Sequence, residues 1–426
     1  MELQLPKGTR DFSPEEKILR DRIVNTLKEV FELYGYAPLE TPILERFDVL
    51  SSKYAGGAGI LKETFRLKDQ GERELGLRYD LTVPLCRFIA MNPNIKMPFK
   101  RYQVGEVFRD GPVASARYRQ FTQCDVDIVG SSSMATDAEI IALILKAFSK
   151  LELDITIKFN SRKLLNEILD YCGIEKEKQD AVILSIDKLE KFGAGLVKSE
   201  LKAQKADEPK IEKIISIISL SGSNENKLSQ LKNLLKNSEG LKEIEEVLRF
   251  LKNMGLEADF DPSLARGLSY YTGTVTETFI KNSSVKSAIC AGGRYDDIIG
   301  SFLGKGFYPA VGVSFGVDRI YDALLEKQES RKKTNTKIYV IPIKTIDESI
   351  EIVQKLRDAG INADIDLTER GPSKNLEYAN SLGIPFVAFI GKKELAENKI
   401  KLRDMESGKE ELINIEEAVK ILKQDE

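Results

Sequence analysis

Histidine is absent from this chain of 426 residues. Every mechanism that uses an imidazole as base, nucleophile or metal ligand is therefore excluded. This excludes Ser-His-Asp hydrolases, HExxH proteases and most catalytic zinc enzymes. Any chemistry must be carried out by carboxylates, arginines, tyrosines and backbone groups.

Cysteine and long hydrophobic runs are also scarce. The chain has four cysteines and no CxxC pair: Cys86, Cys124, Cys172 and Cys290. Their wide spacing argues against a disulfide framework and a structural zinc site, and it suits a reducing cytoplasm. No apolar run approaches the about 20 residues of a membrane-spanning helix, and the start is unlike a signal peptide. We therefore expect a cytoplasmic protein with no membrane association.

The remaining composition is that of a globular protein. Hydrophobic residues make up 42% and charged residues 31%, and the net charge is −3. A chain of this length predicts two or three domains. A near-neutral total charge does not exclude nucleic-acid binding, because it can conceal a basic face.

The N-terminal region predicts a helix that packs on a sheet. Ser13 is placed to cap the helix, with Pro14 at its first position and Glu16 completing a capping box. Apolar residues recur at helical spacing until Gly35 ends the helix: Ile23, Leu27, Val30 and Tyr34. A short strand over Tyr36–Ile43 follows.

Leu75–Cys86 has two possible interpretations. As a strand it carries Asp80 and Thr82 on one face, where a carboxylate and a hydroxyl would receive an ammonium group. Alternatively, one of these two residues caps a helix over Leu81–Ala90. The sequence favours neither interpretation.

Phe99–Gly130 predicts a long antiparallel hairpin with strands over Tyr102–Arg109 and Tyr118–Val129. Alternation along the second strand places a mixed set of residues on one face: Arg119, Phe121, Gln123, Asp125 and Asp127. An arginine, an aromatic ring, an amide and carboxylates on one face are not a core pattern. They indicate the polar floor of a binding site, with a ring on which a base could stack.

Leu264–Val275 reads L-A-R-G-L-S-Y-Y-T-G-T-V and joins Arg266 to two consecutive tyrosines. We predict a strand over Tyr270–Phe279, in which only one of Tyr270 and Tyr271 can line a given pocket wall. Taken alone, the stretch favours a hairpin with a surface arginine and core tyrosines.

Ala288–Tyr295 reads A-I-C-A-G-G-R-Y. Its consecutive glycines, Gly292 and Gly293, would let the backbone approach a ligand closely because they carry no Cβ. We therefore predict that this stretch lies beside a ligand.

Phe307–Leu324 predicts a strand over Ala310–Phe315 that ends at Gly316 and leads into a helix. Arg319 lies in the first turn of that helix, where a positive charge opposes the helix dipole. Arg319 and the dipole together indicate an anionic ligand such as a phosphate.

The other segments predict the organisation of the chain. Asp137–Leu151 is an apolar helix of the core, and Ser161–Leu251 is helical and rich in lysine and glutamate. Glu326–Thr336 has the composition of a linker. Alternating elements after it predict an α/β domain with a mostly parallel sheet. The elements are strands Ile338–Ile343, Ala363–Leu367, Pro385–Gly391 and Lys399–Asp404, and helices Asp347–Ala359, Lys374–Ser381 and Ile415–Leu422.

In this order, the motifs resemble those of the histidyl-tRNA synthetase family, class II aminoacyl-tRNA synthetases. The N-terminal helix and strand, the hairpin and Phe307–Leu324 resemble the three class II motifs. The Arg266 stretch and A-G-G-R-Y resemble the two histidine-specific signatures. The resemblance implies an α/β protein whose antiparallel-sheet (α+β) catalytic domain spans 1–160 and 252–325. It also implies a helical insertion at 161–251, a linker at 326–336 and an α/β anticodon-binding domain at 337–426.

The resemblance implies that ATP activates histidine, which then passes to the 3′ end of tRNA-His, with Mg²⁺ on the phosphates and a homodimeric enzyme. Arg109 and Arg266 would be catalytic. ATP would contact Arg109, Arg117, Phe121 and Arg319. Histidine would contact Asp80, Leu81, Thr82, Gln123, Asp127, Tyr270 and Tyr271. Within that set, Asp127 would take the imidazole N–H and Tyr271 the other ring nitrogen. No side chain is assigned to a metal.

Three residues depart from the family pattern: Ser269 replaces an aspartate, Ala116 a glycine, and Asp80 the longer glutamate of some members. Two other functions remain to be weighed. A regulatory subunit of ATP phosphoribosyltransferase shares the catalytic fold, but it typically lacks the anticodon-binding domain and the catalytic arginines. A synthetase for proline, threonine or glycine is disfavoured by the two histidine signatures.

Overall fold

The computed structural model describes residues 3–51, 61–113, 117–267, 270–304, 306–327 and 332–424. Ala116 and Ser269, two of the departures from the family pattern, lie outside these ranges. The chain divides into two compact units. The larger comprises Met1–Arg10 and Arg22–Gln328, and the smaller comprises Asp11–Asp21 and Glu329–Glu426.

An antiparallel sheet is the centre of the larger unit. The described residues of this unit form eleven strands: β1 (Ala37–Pro38), β2 (Leu44–Arg46), β3 (Arg66–Lys68), β4 (Glu74–Leu77), β5 (Phe99–Phe108), β6 (Gln120–Val129), β7 (Ile155–Ser161), β8 (Asp259–Phe260), β9 (Thr274–Ile280), β10 (Cys290–Arg294) and β11 (Ala310–Gly316). Eight of them form one sheet in the order β1-β5-β6-β11-β10-β9-β7-β8, and β2, β4 and β3 form a small second sheet. Only the outer pairs β1–β5 and β7–β8 of the large sheet are parallel. The predicted antiparallel core is therefore confirmed.

Helices pack against this sheet. The described helices up to residue 327 are α1 (Pro14–Leu33), α2 (Phe47–Leu50), α3 (Thr82–Met91), α4 (Met134–Lys150), α5 (Arg162–Tyr171), α6 (Lys176–Ile186), α7 (Leu189–Ala203), α8 (Glu208–Ile218), α9 (Asn224–Leu234), α10 (Glu239–Asn253), α11 (Ile298–Leu303) and α12 (Val317–Glu326). The rings of Phe31 on α1 and Phe148 on α4 lie 5.5 and 5.6 Å from the ring of Phe315 on β11. Because neighbouring residues of a strand face opposite sides, Ser314 points to the other face.

The N-terminal prediction is confirmed for the helix and is wrong for most of the strand. The backbone N–H of Ser13 donates to Glu16 Oε2 at 2.8 Å, and that of Glu16 to Ser13 Oγ at 3.4 Å, which is the predicted capping box. Only Ala37–Pro38 of the predicted strand pairs with β5. Pro38 and Pro42 lack the N–H that a longer ladder needs.

The predicted hairpin is confirmed as β5 and β6, which pair from Phe99↔Val129 to Phe108↔Gln120. Arg119 was wrongly placed on the alternating face. It precedes β6, and its guanidinium binds Asp110 at 3.1 Å. The alternation predicted for the strand applies only once ladder pairing has begun at Gln120.

The predicted helical region is confirmed as helices α5 to α10, which are inserted between β7 and β8. The first and last of these helices pack closely at Gly240. A Cβ added at Gly240 would lie 2.3 Å from the backbone nitrogen of Leu164, so a larger residue would force the two helices apart.

The smaller unit contains a five-stranded sheet in the order β13-β12-β14-β15-β16. Its strands are β12 (Ile338–Ile343), β13 (Ala363–Ile365), β14 (Phe386–Gly391), β15 (Ile400–Asp404) and β16 (Glu410–Ile413), and its helices α13 (Ile346–Asp358), α14 (Pro372–Ser381), α15 (Lys392–Ala396) and α16 (Ile415–Gln424). Two strand pairs are parallel and two are antiparallel. The predicted, mostly parallel sheet is thus a mixed one, because the unpredicted β16 extends it by a hairpin. Across the described residues of both units, each helix is too short or too polar to cross a bilayer.

Candidate active site

Of the two interpretations of Leu75–Cys86, the helix start is confirmed for the second half of this segment. Strand β4 ends at Leu77 and α3 begins at Thr82. Asp80 Oδ1 accepts a hydrogen bond from the backbone N–H of Val83 at 3.0 Å, which caps the helix. The strand prediction is therefore wrong from residue 78 onward, yet Asp80 and Thr82 still face one cavity. A cap and a ligand-facing carboxylate are compatible, because a carboxylate has two oxygens.

That cavity, which we call the inner cavity, has a volume of about 90 Å³ and lies on the face of the large sheet opposite the rings of Phe31 and Phe148. Six of the seven residues predicted to contact histidine line it: Asp80, Thr82, Gln123, Asp127, Tyr270 and Tyr271. The seventh, Leu81, has a fully buried side chain. Its carbonyl oxygen accepts a hydrogen bond from Arg101 at 3.2 Å.

Both consecutive tyrosines line the inner cavity, so the prediction that only one could do so is wrong. Strand β9 begins at Thr274, and Tyr270 and Tyr271 lie in the turn before it. Strand alternation does not apply to a turn, which leaves both rings free to point the same way. Their ring centroids are 4.6 Å apart.

Asp127 is held by two residues that the sequence did not predict as part of the site. Its Oδ2 lies 2.8 Å from Arg101 Nη2, and its Oδ1 accepts a hydrogen bond from the hydroxyl of Tyr295. Burial raises the pKa of Asp127, and the Arg101 guanidinium and the Tyr295 hydroxyl offset part of that rise. The carboxylate is thus fixed at the inner end of the cavity before any substrate contacts it.

Glycines make room for this arrangement. Gly312 lies opposite Asp127 across β6 and β11, and a Cβ added there would be 1.9 Å from Asp127 Oδ1. Added Cβ atoms at Gly292 and Gly293 would lie 2.1 Å from the carbonyl oxygen of Gly312 and 2.4 Å from that of Thr274. We predicted that the backbone at these two glycines approaches a ligand closely. In the structure it approaches the backbone of neighbouring strands, and Gly292 also lines the inner cavity.

A second cavity of about 330 Å³, which we call the outer cavity, contains every residue predicted to bind ATP. Four arginines and an aromatic ring line it: Arg109, Arg117, Arg266, Arg319 and Phe121. The Arg109 guanidinium carbon lies 5.1 Å from the centroid of the Phe121 ring. A flat ring beside several guanidinium groups is suited to a base with attached phosphates.

Arg319 is positioned by the predicted strand-to-helix transition, since β11 ends at Gly316 and α12 begins at Val317. Its Nη1 donates to the carbonyl oxygen of Ala288 at 2.6 Å. Burial, and then the positive charge of Arg109, lower the pKa of Arg319. An anionic ligand would relieve this repulsion among like charges.

The two cavities share one wall, formed by Arg109, Gln123, Arg266, Ala291 and Ser314. Arg109 is oriented by a hydrogen bond from its Nε to the carbonyl oxygen of Tyr79 at 3.0 Å. Arg266 is oriented by Glu277, whose Oε1 lies 2.7 Å from its Nη1. A group in the inner cavity can therefore meet a phosphate in the outer one between two fixed guanidinium groups.

Comparison with known proteins gives the same picture. Residues 8–320 match the profile of the family described as Histidyl-tRNA synthetase, and residues 337–425 match that of the Anticodon binding domain. The chain is 43% identical to histidine–tRNA ligase 1 of Bacillus cereus over 421 residues, which cover 96% of this chain and 97% of that protein.

Two solved structures are similar to this one. Histidyl-tRNA synthetase from Nostoc sp. PCC 7120 superposes with a TM-score of 0.89 at 32% identity, covering all of both chains. An ATP phosphoribosyltransferase regulatory subunit/histidyl-tRNA synthetase from Bacillus halodurans has a TM-score of 0.76 at 22% identity, which shows a shared fold alone. It covers 89% of this chain and 97% of its own. The family profile and the full-length relatives lead to one conclusion: the chain belongs to the histidyl-tRNA synthetase family.

Proposed function

We propose that this protein activates L-histidine with ATP and transfers the histidyl group to the 3′ end of tRNA-His. The observation that carries the proposal is the wall shared by the two cavities. This wall places Arg109 and Arg266 between the two cavities. The inner cavity is lined by carboxylates and phenols, and the outer cavity by guanidinium groups and an aromatic ring.

In the first step, a carboxylate oxygen of histidine attacks the α-phosphorus of ATP. An O–P bond forms, the bond from that phosphorus to the bridging oxygen breaks, and pyrophosphate leaves with the electron pair. The substrate carboxylate is already ionised at neutral pH, so no enzymic base is needed and the absence of histidine is no obstacle. Arg109 and Arg266 hold the reactants in line and stabilise charge on the phosphate.

In the second step, a terminal ribose hydroxyl of the tRNA attacks the carbonyl carbon of histidyl-adenylate. An ester bond forms, the mixed anhydride breaks, and AMP leaves with its phosphate taking up the proton of the hydroxyl. The catalytic domain would comprise 1–160 and 252–325. The helical insertion at 161–251 would contact the acceptor end of the tRNA, and the domain at 337–426 would bind the anticodon. These contacts would use lysine and arginine at phosphates, which position an RNA without reading its sequence.

Recognition of the substrate side chain would occur at the inner end of the inner cavity. A neutral imidazole has one donor and one acceptor. Asp127 would accept from the ring N–H, and the Tyr271 hydroxyl would donate to the other nitrogen. Tyr295 joins the proposed site because it holds Asp127, and the Tyr270 ring packs beside that of Tyr271. Asp80, Thr82 and Gln123 would face the α-amino acid backbone.

The nucleotide would occupy the outer cavity. Phe121 would stack on adenine, Arg109 would bind the α-phosphate, and Arg117 and Arg319 would bind the terminal phosphates. Asp318 is the carboxylate lining this cavity, and its two oxygens already accept hydrogen bonds from Arg10 and from the backbone N–H of Thr122. Mg²⁺ would therefore enter with the triphosphate as part of the substrate. We also propose a cytoplasmic homodimer.

Amino-acid-dependent exchange of labelled pyrophosphate into ATP, run with each standard amino acid, tests the proposal. Histidine alone should support exchange. The Asp127→Ala variant should lose most of it while its affinity for ATP stays near that of the original protein, because a site that pairs substrate polar atoms discriminates by about 10⁴ or more. Histidine binding without any exchange would favour the regulatory-subunit alternative instead.

A further inference from the structure

A third carboxylate of the inner cavity, Asp125, has no role in the reaction described above. It lies on β6 between Gln123 and Asp127, and it faces Gln103 on β5 and Ser314 on β11 across the strand pairs. Its side chain is 4% exposed and lines the inner cavity. Its Oδ1 has no hydrogen-bond partner among the described residues. A buried carboxylate oxygen without a donor is costly, so it indicates a missing hydrogen-bond donor.

We propose that Asp125 accepts a hydrogen bond from the α-ammonium group of the bound amino acid and thereby requires a free α-amine. This assignment rests on the proposed function. An ammonium group has three donors. Asp80 and Thr82 supply two acceptors, and Asp125 Oδ1 supplies a third from the sheet.

The position of Asp125 along β6 supports the ammonium rather than the imidazole as its partner. Gln123 belongs to the shared wall, where the substrate carboxylate must lie, and Asp127 holds the inner end, where the imidazole would lie. Residues two apart on a strand are about 6.6 Å apart, and Asp125 falls between the other two on the same face. The substrate α-carbon and its amine must therefore pass beside Asp125.

The charges around Asp125 favour a cationic partner as well. Burial raises the pKa of Asp125 to about 7, an effect reduced by Arg101 and by a hydrogen bond with Ser314 and increased by Asp127 and Asp80. Near neutral pH the empty cavity therefore holds this carboxyl as a mixture of both forms, and an ammonium would stabilise the ionised one. Other titratable or charged groups near it are Arg78, Cys124 and Cys290, and the cavity residues Arg109, Arg266, Tyr270, Tyr271 and Tyr295.

The test compares three ligands on the full chain and on Asp125→Asn, which keeps the shape and removes the charge. L-Histidine and L-histidinol carry the ammonium, whereas imidazolepropionate lacks it. Losing a charged hydrogen bond should weaken the first two about 10- to 100-fold. Imidazolepropionate should bind as well as before, and the KM for ATP should be unchanged. Asp154→Asn, an exposed carboxylate that lines neither cavity, is the matched control.

Dependence on pH gives a second readout. The ionised carboxylate binds the ammonium more strongly than the neutral acid does, so the ratio of histidine dissociation constants, variant over original, should be larger at pH 8 than at pH 6. If Asp125→Asn melts at a lower temperature than the original chain, Asp125→Ser replaces it in the same ligand series.

The possible results separate the two proposals. Equal losses for all three ligands, or no loss for any of them, would overturn the role of Asp125 while the exchange reaction of the original protein stands. An original protein that shows no histidine-dependent exchange would overturn the proposed function and the ammonium contact with it.

Discussion

Arg101 and Asp127 form a buried ion pair across the β5–β6 hairpin, with 2.8 Å between Nη2 and Oδ2. The two residues are register partners on neighbouring strands, and the Arg101 side chain has 0% exposure. The pair fixes the carboxylate of Asp127, which we expect to accept a hydrogen bond from the imidazole of the substrate. It therefore links the stability of the catalytic sheet to the shape of the inner cavity.

Replacing Arg101 by methionine should destabilise the protein by about 3 to 5 kcal/mol, because Asp127 would be left as a buried and unpaired charge. Thermal denaturation measures this change. Arg46→Met is the control, because Arg46 pairs with Asp48 at 2.6 Å on an exposed surface, where such pairs contribute about 0 to 1 kcal/mol. Equal melting temperatures for the two variants would contradict the prediction.

Replacing Tyr295 by phenylalanine should raise the KM for histidine about 10-fold, because Asp127 loses the hydroxyl that orients it. The KM for ATP should not change, since Tyr295 does not line the outer cavity. Steady-state exchange kinetics measure both constants. A parallel rise in both would show that the substitution disturbs the whole sheet.

Replacing Gly312 by alanine should impair histidine activation, because the new methyl group would displace the Asp127 carboxylate that lies 1.9 Å from its position. Gly195→Ala is the matched control. A Cβ at Gly195 meets no atom within 4 Å, and alanine there should stabilise helix α7 by about 0.5 to 1 kcal/mol. Full activity in Gly312→Ala would mean that Asp127 does not need its present position.

Replacing Arg266 by glutamine should lower kcat for adenylate formation about 10²- to 10³-fold, the typical effect of removing one donor that stabilises transition-state charge. Because the change also leaves the partly buried Glu277 unpaired, the double variant with Glu277→Gln should recover stability but not rate. Single-turnover formation of the adenylate, followed beside the melting temperature, separates the two effects.

The stability of the protein should fall as pH rises through the ionisation of Asp125. The pKa of this group is about 7 in the folded state and about 3.9 when unfolded. Between these values the folded state binds more protons, so ionisation destabilises the fold and the penalty is complete above pH 7. Asp125→Asn should therefore melt at a higher temperature than the original chain at pH 8, with a smaller difference at pH 5. An equal difference at both pH values would contradict the prediction.

Local pattern was sufficient to predict much of this site. Alternation along β6 placed Phe121, Gln123, Asp125 and Asp127 on one face, and the strand-to-helix transition placed Arg319 at a helix start. Each of these inferences depends on residues close together in sequence, and the structure confirms the elements that carry them. The roles proposed for these residues in binding remain predictions.

The errors arose where distant parts of the chain decide the geometry. Tyr270 and Tyr271 face one cavity because β9 begins later than residue propensity suggested. The contacts of Arg101 and Tyr295 with Asp127 depend on strand pairing and register, which a single sequence does not reveal. The sequence predicted that Gly292 and Gly293 must be small. It could not show that the reason is the backbone of other strands, which lies next to both glycines.

The wall common to the inner and outer cavities has a thermodynamic consequence. Whichever substrate binds first will restrict the motion that protein contacts still leave to Arg109, Gln123 and Arg266, and the second substrate then meets side chains that are already ordered. Each substrate should therefore tighten the binding of the other by the same factor, as reciprocity between linked equilibria requires. The sheet would make amino acid and nucleotide cooperative partners without any movement of one domain against another.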